Sequence, residues 1–189
     1  MGNALEGEQF VIAMANLPTN LRMPIISHWG ITGGEFFNNV KQFLQKDVDL
    51  SFIQSCFSLR DAQSELAIQV INDAKKLFPE QFKDAVTLPA PDGFIHAYDL
   101  ANVFLNALAN IPLNHDIKTT RSLLHQQLEN LQKPVKGLFK TYQQPFTVWS
   151  SDSPDAHEAL GLDDFRMAKY MPDGGYAEKK SIETIFDGF

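Results

Sequence analysis

The sequence predicts an α/β fold in which parallel strands are flanked by helices. Three observations carry this expectation. Short apolar runs of strand length alternate with longer segments of helical period in the first half of the chain, the signature of strand–crossover–strand units. Residues that favour helix caps, Asn3 and Ser58, stand ahead of the periodic segments. A chain of 189 residues, 44% of them hydrophobic, is long enough to bury one core or to form two small lobes.

Asn3-Ala4-Leu5-Glu6 has the form of a capping box, with Asn3 as N-cap and Glu6 reaching back. The helix it opens places Phe10, Ala13, Met14 and Leu17 on one face, and Pro18 ends it. Pro24-Ile25-Ile26-Ser27 is a short apolar run, read as a buried strand. His28 to Gly34 is a glycine-punctuated loop. Residues 35–45 read as a helix using Phe36, Phe37, Val40 and Phe43 or Leu44, and residues 49–56 as a second buried strand. Ser58-Leu59-Arg60-Asp61 is expected to cap the longest helix, with Leu66, Val70, Ile71, Ala74, Leu77 and Phe78 at helical spacing.

Leu88-Pro89-Ala90-Pro91-Asp92-Gly93 is the clearest linker, because two prolines and a glycine interrupt both periodicities. A helix is expected over residues 94–111, with Ala97, Ala101, Phe104, Leu105 and Leu108 as its stripe. Thr119 or Thr120 caps another, carrying Leu123, Leu124, Leu128 and Leu131. Beyond Lys133 the texture turns to short strands, at residues 138–140, 145–148 and 165–170. Asp173-Gly174-Gly175 is a turn that closes a final hairpin.

Charge narrows the function classes. Sixteen Lys and Arg face 23 Asp and Glu, a net charge of −7, which argues against nucleic acid or an anionic membrane as partner. A single Cys excludes a disulfide framework within the chain and any multi-cysteine metal site. The segment from Met1 to Glu6 has neither the basic nor the apolar part of a signal peptide. Two expectations follow: a cytoplasmic protein, or a piece of a longer exported one.

The candidate chemistry is sparse. The Gly30–Gly34 loop lacks the Lys of a phosphate-binding P-loop and does not match G-x-G-x-x-G; a turn needing positive φ is the expectation. The histidines (28, 96, 115, 125 and 157) contain no His–His pair at the four-residue spacing of zinc sites, and no cysteine pair supports them, so no metal site is expected. His96 and Asp99, three apart on one helix, suggest a structural hydrogen bond. Cys56, at the end of an apolar strand, reads as an inert buried thiol. No G-x-S-x-G elbow exists, and no nucleophile–base–orienter set is legible, so neither catalysis nor a cofactor is expected.

His28-Trp29 differs in kind. It lies just past the carboxyl end of an expected parallel strand, the edge where ligands collect in open α/β sheets. Trp29 offers a flat apolar wall and His28 a switchable donor or acceptor; the structural alternative is a Trp that plugs the loop onto the core. The start of the first helix, this loop and the end of the second strand share that edge. They nominate Asn3, Ala4, Glu6, Ser27, His28, Trp29, Gly30, Gln54 and Phe57 as a ligand-binding wall.

The order of these parts carries a resemblance. Met23-Pro24-Ile25-Ile26-Ser27, Phe94 to Leu100 with its Ala97-Tyr98-Asp99, the helix over residues 119–131, Val135-Lys136-Gly137, Pro145-Phe146 through Gly161, and Tyr170-Met171-Pro172-Asp173-Gly174 occur in sequence. Together they resemble the second half of a type I periplasmic binding protein, the branched-chain amino-acid receptor group of ABC transporters. Residues 2–17 resemble the segment that follows a "D-x-V-x-x-x-G" strand, which this chain lacks. The likeness covers nearly all 189 residues.

The resemblance implies an incomplete two-lobed clam. Residues 1–87 would form part of ligand-binding lobe II, residues 88–164 a return segment of lobe I, and residues 165–189 a strand and tail returning to lobe II. It implies a periplasmic location, a signal peptide lost with a missing N-terminal half, and that half as a partner. Its other partners would be a small-molecule solute and an ABC permease or a sensor protein. Amino-acid receptors of this group place an acid after the strand that His28-Trp29-Gly30 follows here; with no carboxylate in that stretch, a neutral, aromatic or carboxylate-bearing solute fits. The remaining readings are a ligand-sensing domain of a signalling receptor and a cytoplasmic α/β enzyme with an unrecognised site.

Overall fold

Helix α1 (Ala4–Ala15) opens on the expected capping box, where Glu6 Oε2 accepts the Asn3 N–H at 3.1 Å. The computed structural model describes residues 2–44, 46–55, 64–82, 88, 90–112 and 116–178. The chain divides into two units, Met1–Asp92 with Phe165–Phe189, and Gly93–Asp164.

In the first unit, strands β1 (Ile25–His28) and β2 (Leu50–Ser55) pair in parallel, with Ser27 opposite Phe52 and His28 opposite Ile53. A short helix α2 (Phe36–Val40) lies in the crossover that parallel pairing requires. β2 then pairs antiparallel with β5 (Phe165–Tyr170), and β5 with β6 (Tyr176–Glu178), giving the order β1-β2-β5-β6. The fold is therefore mixed α/β with a mixed sheet: the expected parallel pair forms, and the expectation of a parallel sheet is corrected at β5 and β6, which add antiparallel to it. β5 and β6 are joined by the expected turn, where Gly174 takes φ +89°, and a hairpin connection of that length makes an antiparallel pair. The core joins Val11 and Met14 of α1, Phe36 and Val40 of α2, and Leu50, Phe52, Ala168, Tyr170 and Tyr176 of the sheet.

Two expected faces differ. α1 buries Val11, Met14 and Ala15, while Phe10 and Leu17 stay exposed; α1 is apolar on more than one side, so periodicity alone did not select the buried one. The helix expected over residues 35–45 has only the five residues of α2. Helix α3 (Glu65–Leu77) starts at Ser64, whose Oγ accepts the Ala67 N–H at 3.1 Å. The cap expected at Ser58–Asp61 lies outside the described residues.

The longest described helix is α4 (Pro91–Leu108), and the division between units falls after its second residue. It begins three residues earlier than expected because Pro91 sits in the first turn, where its missing N–H costs nothing. Beyond the buried first-turn residues Pro91 and Asp92, its buried positions are Ile95, Asp99, Val103 and Ala107, at intervals of four. The expected stripe is displaced: Phe104 and Leu105 are exposed.

In the second unit, helix α5 (Ile117–Glu129) is capped by Asp116 rather than by a threonine. Asp116 Oδ1 accepts the Lys118 and Thr119 N–H groups at 2.9 and 3.1 Å, and the Thr119 hydroxyl donates to Oδ2 at 2.7 Å. The Thr119 hydroxyl bond, and then its backbone bond, hold the Asp116 carboxyl below the usual carboxylate range. Strands β3 (Val135–Lys136) and β4 (Thr141–Tyr142) form a hairpin whose turn occupies the expected 138–140 strand. No strand forms at 145–148, where Thr147 N–H instead donates to the Ala156 carbonyl at 2.8 Å. The core here is Val103, Ala107, Leu131, Val135 and Tyr142.

Asp99 explains why residues 138–140 turn. Its carboxylate accepts the N–H groups of Leu138 and Phe139 and the Tyr142 hydroxyl (2.9 Å), so those amides are not free to build a ladder. The expected His96–Asp99 bond does not form; His96 lies against Phe139, ring centroids 6.2 Å apart. Gly137 lets the turn approach closely, since a Cβ there would lie 2.4 Å from Asp99 Oδ2 and displace the carboxylate.

Candidate functional site

The carboxyl end of the parallel pair is built around the loop that follows β1. His28 ends the strand and its Nδ1 accepts the Gly30 N–H at 3.0 Å. An accepting Nδ1 leaves Nε2 to carry the ring's N–H and act as a donor. Trp29 to Ile31 form one 3-10 turn. Gly30 sits so close that a Cβ would meet His28 Cε1 at 2.4 Å and Asn3 Oδ1 at 2.8 Å; the loop, the end of β1 and the start of α1 meet at this glycine. Gly34 carries the expected positive φ, +61°.

Buried groups fix the loop from below. Thr32 Oγ1 lies 2.7 Å from the Trp29 carbonyl and 2.9 Å from Asp92 Oδ2, which also accepts the Tyr176 hydroxyl at 3.0 Å. The Tyr170 hydroxyl donates to the Ile31 carbonyl at 2.8 Å. Burial, and after it the Asp92 charge, push both phenols above their usual range, so they remain donors at any physiological pH.

Trp29 stands on this fixed loop, 46% exposed, and stacks on Phe165 with ring centroids 5.7 Å apart and planes within 13°. Phe165 pairs with Ser55 across β2 and β5. The stack therefore sits beside the carboxyl end of β2, where Gln54 Oε1 and Ser55 Oγ are buried with no hydrogen-bond partner among the described residues. Such atoms are costly unless something satisfies them.

The nominated residues are distributed over this edge rather than forming one wall. Asn3, His28, Trp29 and Gly30 come together. Ala4 packs against the core. Glu6 and Ser27 line an apolar cavity of about 330 Å³ that Phe10 and Ile26 also border. Gln54 is buried in β2, and Phe57 lies outside the described residues. A second hollow, about 670 Å³, lies at the opposite end of the sheet, bordered by Asp47, Asp49 and Lys169. Sequence reading missed Ser55, Thr32, Asp92 and Phe165; the last is distant in the chain, and only the antiparallel β2–β5 pairing delivers it.

Comparisons with protein-family models, with curated proteins and with solved structures return no match.

The second unit holds a polar cluster of another kind. Glu129, the last residue of α5, has His157 Nε2 2.9 Å from its Oε1 and His125 Nδ1 3.3 Å from its Oε2. The two imidazoles face each other edge to face, centroids 6.0 Å apart. In the sequence His125-x-x-x-Glu129 is a His–Glu pair one helical turn apart, and its third member, His157, is 28 residues beyond Glu129.

Proposed function

We propose that this chain is the ligand-binding part of an extracytoplasmic solute-binding protein that serves an ABC transporter. Its solute is an amino acid or a similar small polar or aromatic molecule, and the protein acts by binding rather than by catalysis. The finer architecture that goes with this reading is one part of a type I periplasmic binding protein clam.

One observation carries the reading: a half-exposed Trp29, stacked on Phe165, on a loop that internal bonds hold rigid at the carboxyl edge of a parallel strand pair. A Trp that served only to seal the core would be buried. The exposed indole face suits a planar or aliphatic solute, His28 Nε2–H suits an acceptor such as a carboxylate, and the Asn3 amide offers both polarities. An aromatic wall with few fixed polar groups is the usual composition of a small-molecule site.

The test is a thermal-shift screen of the purified chain against the twenty common amino acids and a set of aromatic carboxylates, followed by calorimetry of each compound that raises Tm. Trp29→Ala should weaken binding of such a compound by about tenfold, the size of one lost stacking contact, with Tm nearly unchanged. Intact binding together with a clearly lowered Tm would return Trp29 to a purely structural role. Turnover abolished by His28→Ala would replace the receptor reading with an enzyme.

A further inference from the structure

We propose that His125, Glu129 and His157 bind one divalent cation of the Zn²⁺ type, with a fourth coordination position left to water. The inference is independent of the solute-binding reading and concerns the other unit of the chain.

The first argument is donor geometry. One ligand atom from each of the three residues lies within 4.8 Å of the other two. Donors at the usual zinc distances of about 2.0–2.2 Å, arranged tetrahedrally, stand roughly 3.3–3.6 Å apart. His157 Nε2 lies 2.9 Å from Glu129 Oε1 and His125 Nδ1 3.3 Å from Oε2, so each imidazole already reaches one oxygen of the carboxylate. The two imidazole donors lie within 4.8 Å of each other, on rings that are 64% and 48% exposed.

The second argument is charge. Glu129 is the last residue of α5, where the unpaired carbonyls of the helix already present negative charge, so a carboxylate there is poorly placed. It is nonetheless largely buried, its side chain 13% exposed. No Lys or Arg pairs with it among the described residues; its partners are the two imidazoles. A divalent cation held by the three side chains would offset that carboxylate charge.

The third is donor chemistry. Two imidazole nitrogens and one carboxylate oxygen suit borderline ions such as Zn²⁺ and Co²⁺, whereas Mg²⁺ and Ca²⁺ demand oxygen ligands. His125 and Glu129 are one turn apart on a helix, and His157 comes from the segment after the Ser150–Ser153 bridge. The ion would tie that segment to the end of α5, and so raise the stability of the folded chain in proportion to its occupancy.

The test uses the purified full chain, stripped with a chelator and titrated with ZnCl₂ by calorimetry and with CoCl₂ by visible absorption. One cation per chain, the intense bands of four-coordinate cobalt, a Tm that rises with zinc, and no response to MgCl₂ are expected. His125→Gln and His157→Gln should each weaken zinc binding by more than ~100-fold, beyond the ~10–100-fold that outer-shell partners of a metal are worth. Unchanged zinc affinity in the double variant overturns the proposal, as does equal affinity for Mg²⁺ or the absence of binding at millimolar zinc. Should a variant fail to fold, the wild-type chain decides. Zinc should shield His125 and His157, and not His28 or His96, from acylation by diethylpyrocarbonate read by mass spectrometry, and unshielded rings overturn the site.

Discussion

Asp92 and Asp99 stand seven residues apart on α4, both almost fully buried, and each is the polar node of a different unit. Asp92 accepts side-chain hydroxyls, from Thr32 in the loop under Trp29 and from Tyr176 in β6. Asp99 accepts two backbone amides, of Leu138 and Phe139, and one hydroxyl, from Tyr142. The difference is one of freedom. A hydroxyl can rotate toward another acceptor, whereas an amide inside a turn points where the backbone points it. Asp99 therefore dictates a chain path, and Asp92 steadies a loop whose path is set by its own Gly30 and His28 contacts.

The largest effect expected from this contrast is on Asp99. Asp99→Ala leaves three buried donors without an acceptor, each worth ~1–3 kcal/mol, so chemical denaturation should show a loss of at least ~3 kcal/mol. A loss below ~1 kcal/mol would mean that the turn is held by something else. Gly137→Ala probes the same node from the other side. Its Cβ would press into the Asp99 carboxylate, and overpacking of this kind costs ~1–3 kcal/mol; an unaffected Tm would show that the carboxylate has room to move.

Asp92→Ala should cost less, about 2 kcal/mol, at ~1 kcal/mol for each of the Thr32 and Tyr176 hydroxyls. The two Asp substitutions should add within ~0.5 kcal/mol in a double-mutant cycle, because seven helical residues hold the two positions about 10 Å apart. A larger coupling energy would join the two nodes into one network.

The smallest effect is on pH dependence. Burial first, then Asp99, raises the Tyr142 phenol, and burial with Asp92 raises Tyr170 and Tyr176. A raised folded-state value means that the folded chain holds the proton longer than the unfolded chain does. The associated stability is complete below pH ~10, the unfolded tyrosine value, and declines as pH rises beyond it. Urea midpoints measured from pH 8 to 11 should fall at the alkaline end, and Tyr142→Phe and Tyr176→Phe should each flatten that fall. A profile identical to wild type in either variant would remove that phenol from the account.

Much of the edge that carries the candidate site was legible. The capping box at Asn3, the β1 run, the turn at Gly174 and the pairing of two strands around a crossover are local, set by cap chemistry, apolar runs and backbone permissions within a few residues of each other. The buried face of α4 was not legible. Its sequence has more apolar residues than one face can bury, and the side chosen includes Asp99, because three distant donors await a carboxylate there. Helix α1 shows the same ambiguity, with Val11 buried and Phe10 exposed. Where apolar periodicity is redundant, hydrogen-bond satisfaction and packing decide.

By itself the sequence determined the longer helices α1, α3, α4 and α5, the strands β1, β2 and β5, and that His28 and Trp29 stand at the end of a parallel strand, since these follow from spacing and capping over short distances. Only the tertiary structure decided that Phe165 lies under Trp29, that Asp99 bends the chain at Leu138, and that His157 joins His125 and Glu129. Those juxtapositions link residues 28 to 136 positions apart. Nothing local encodes such contacts; they exist because folding closes long loops, at an entropic cost that grows only slowly with their length.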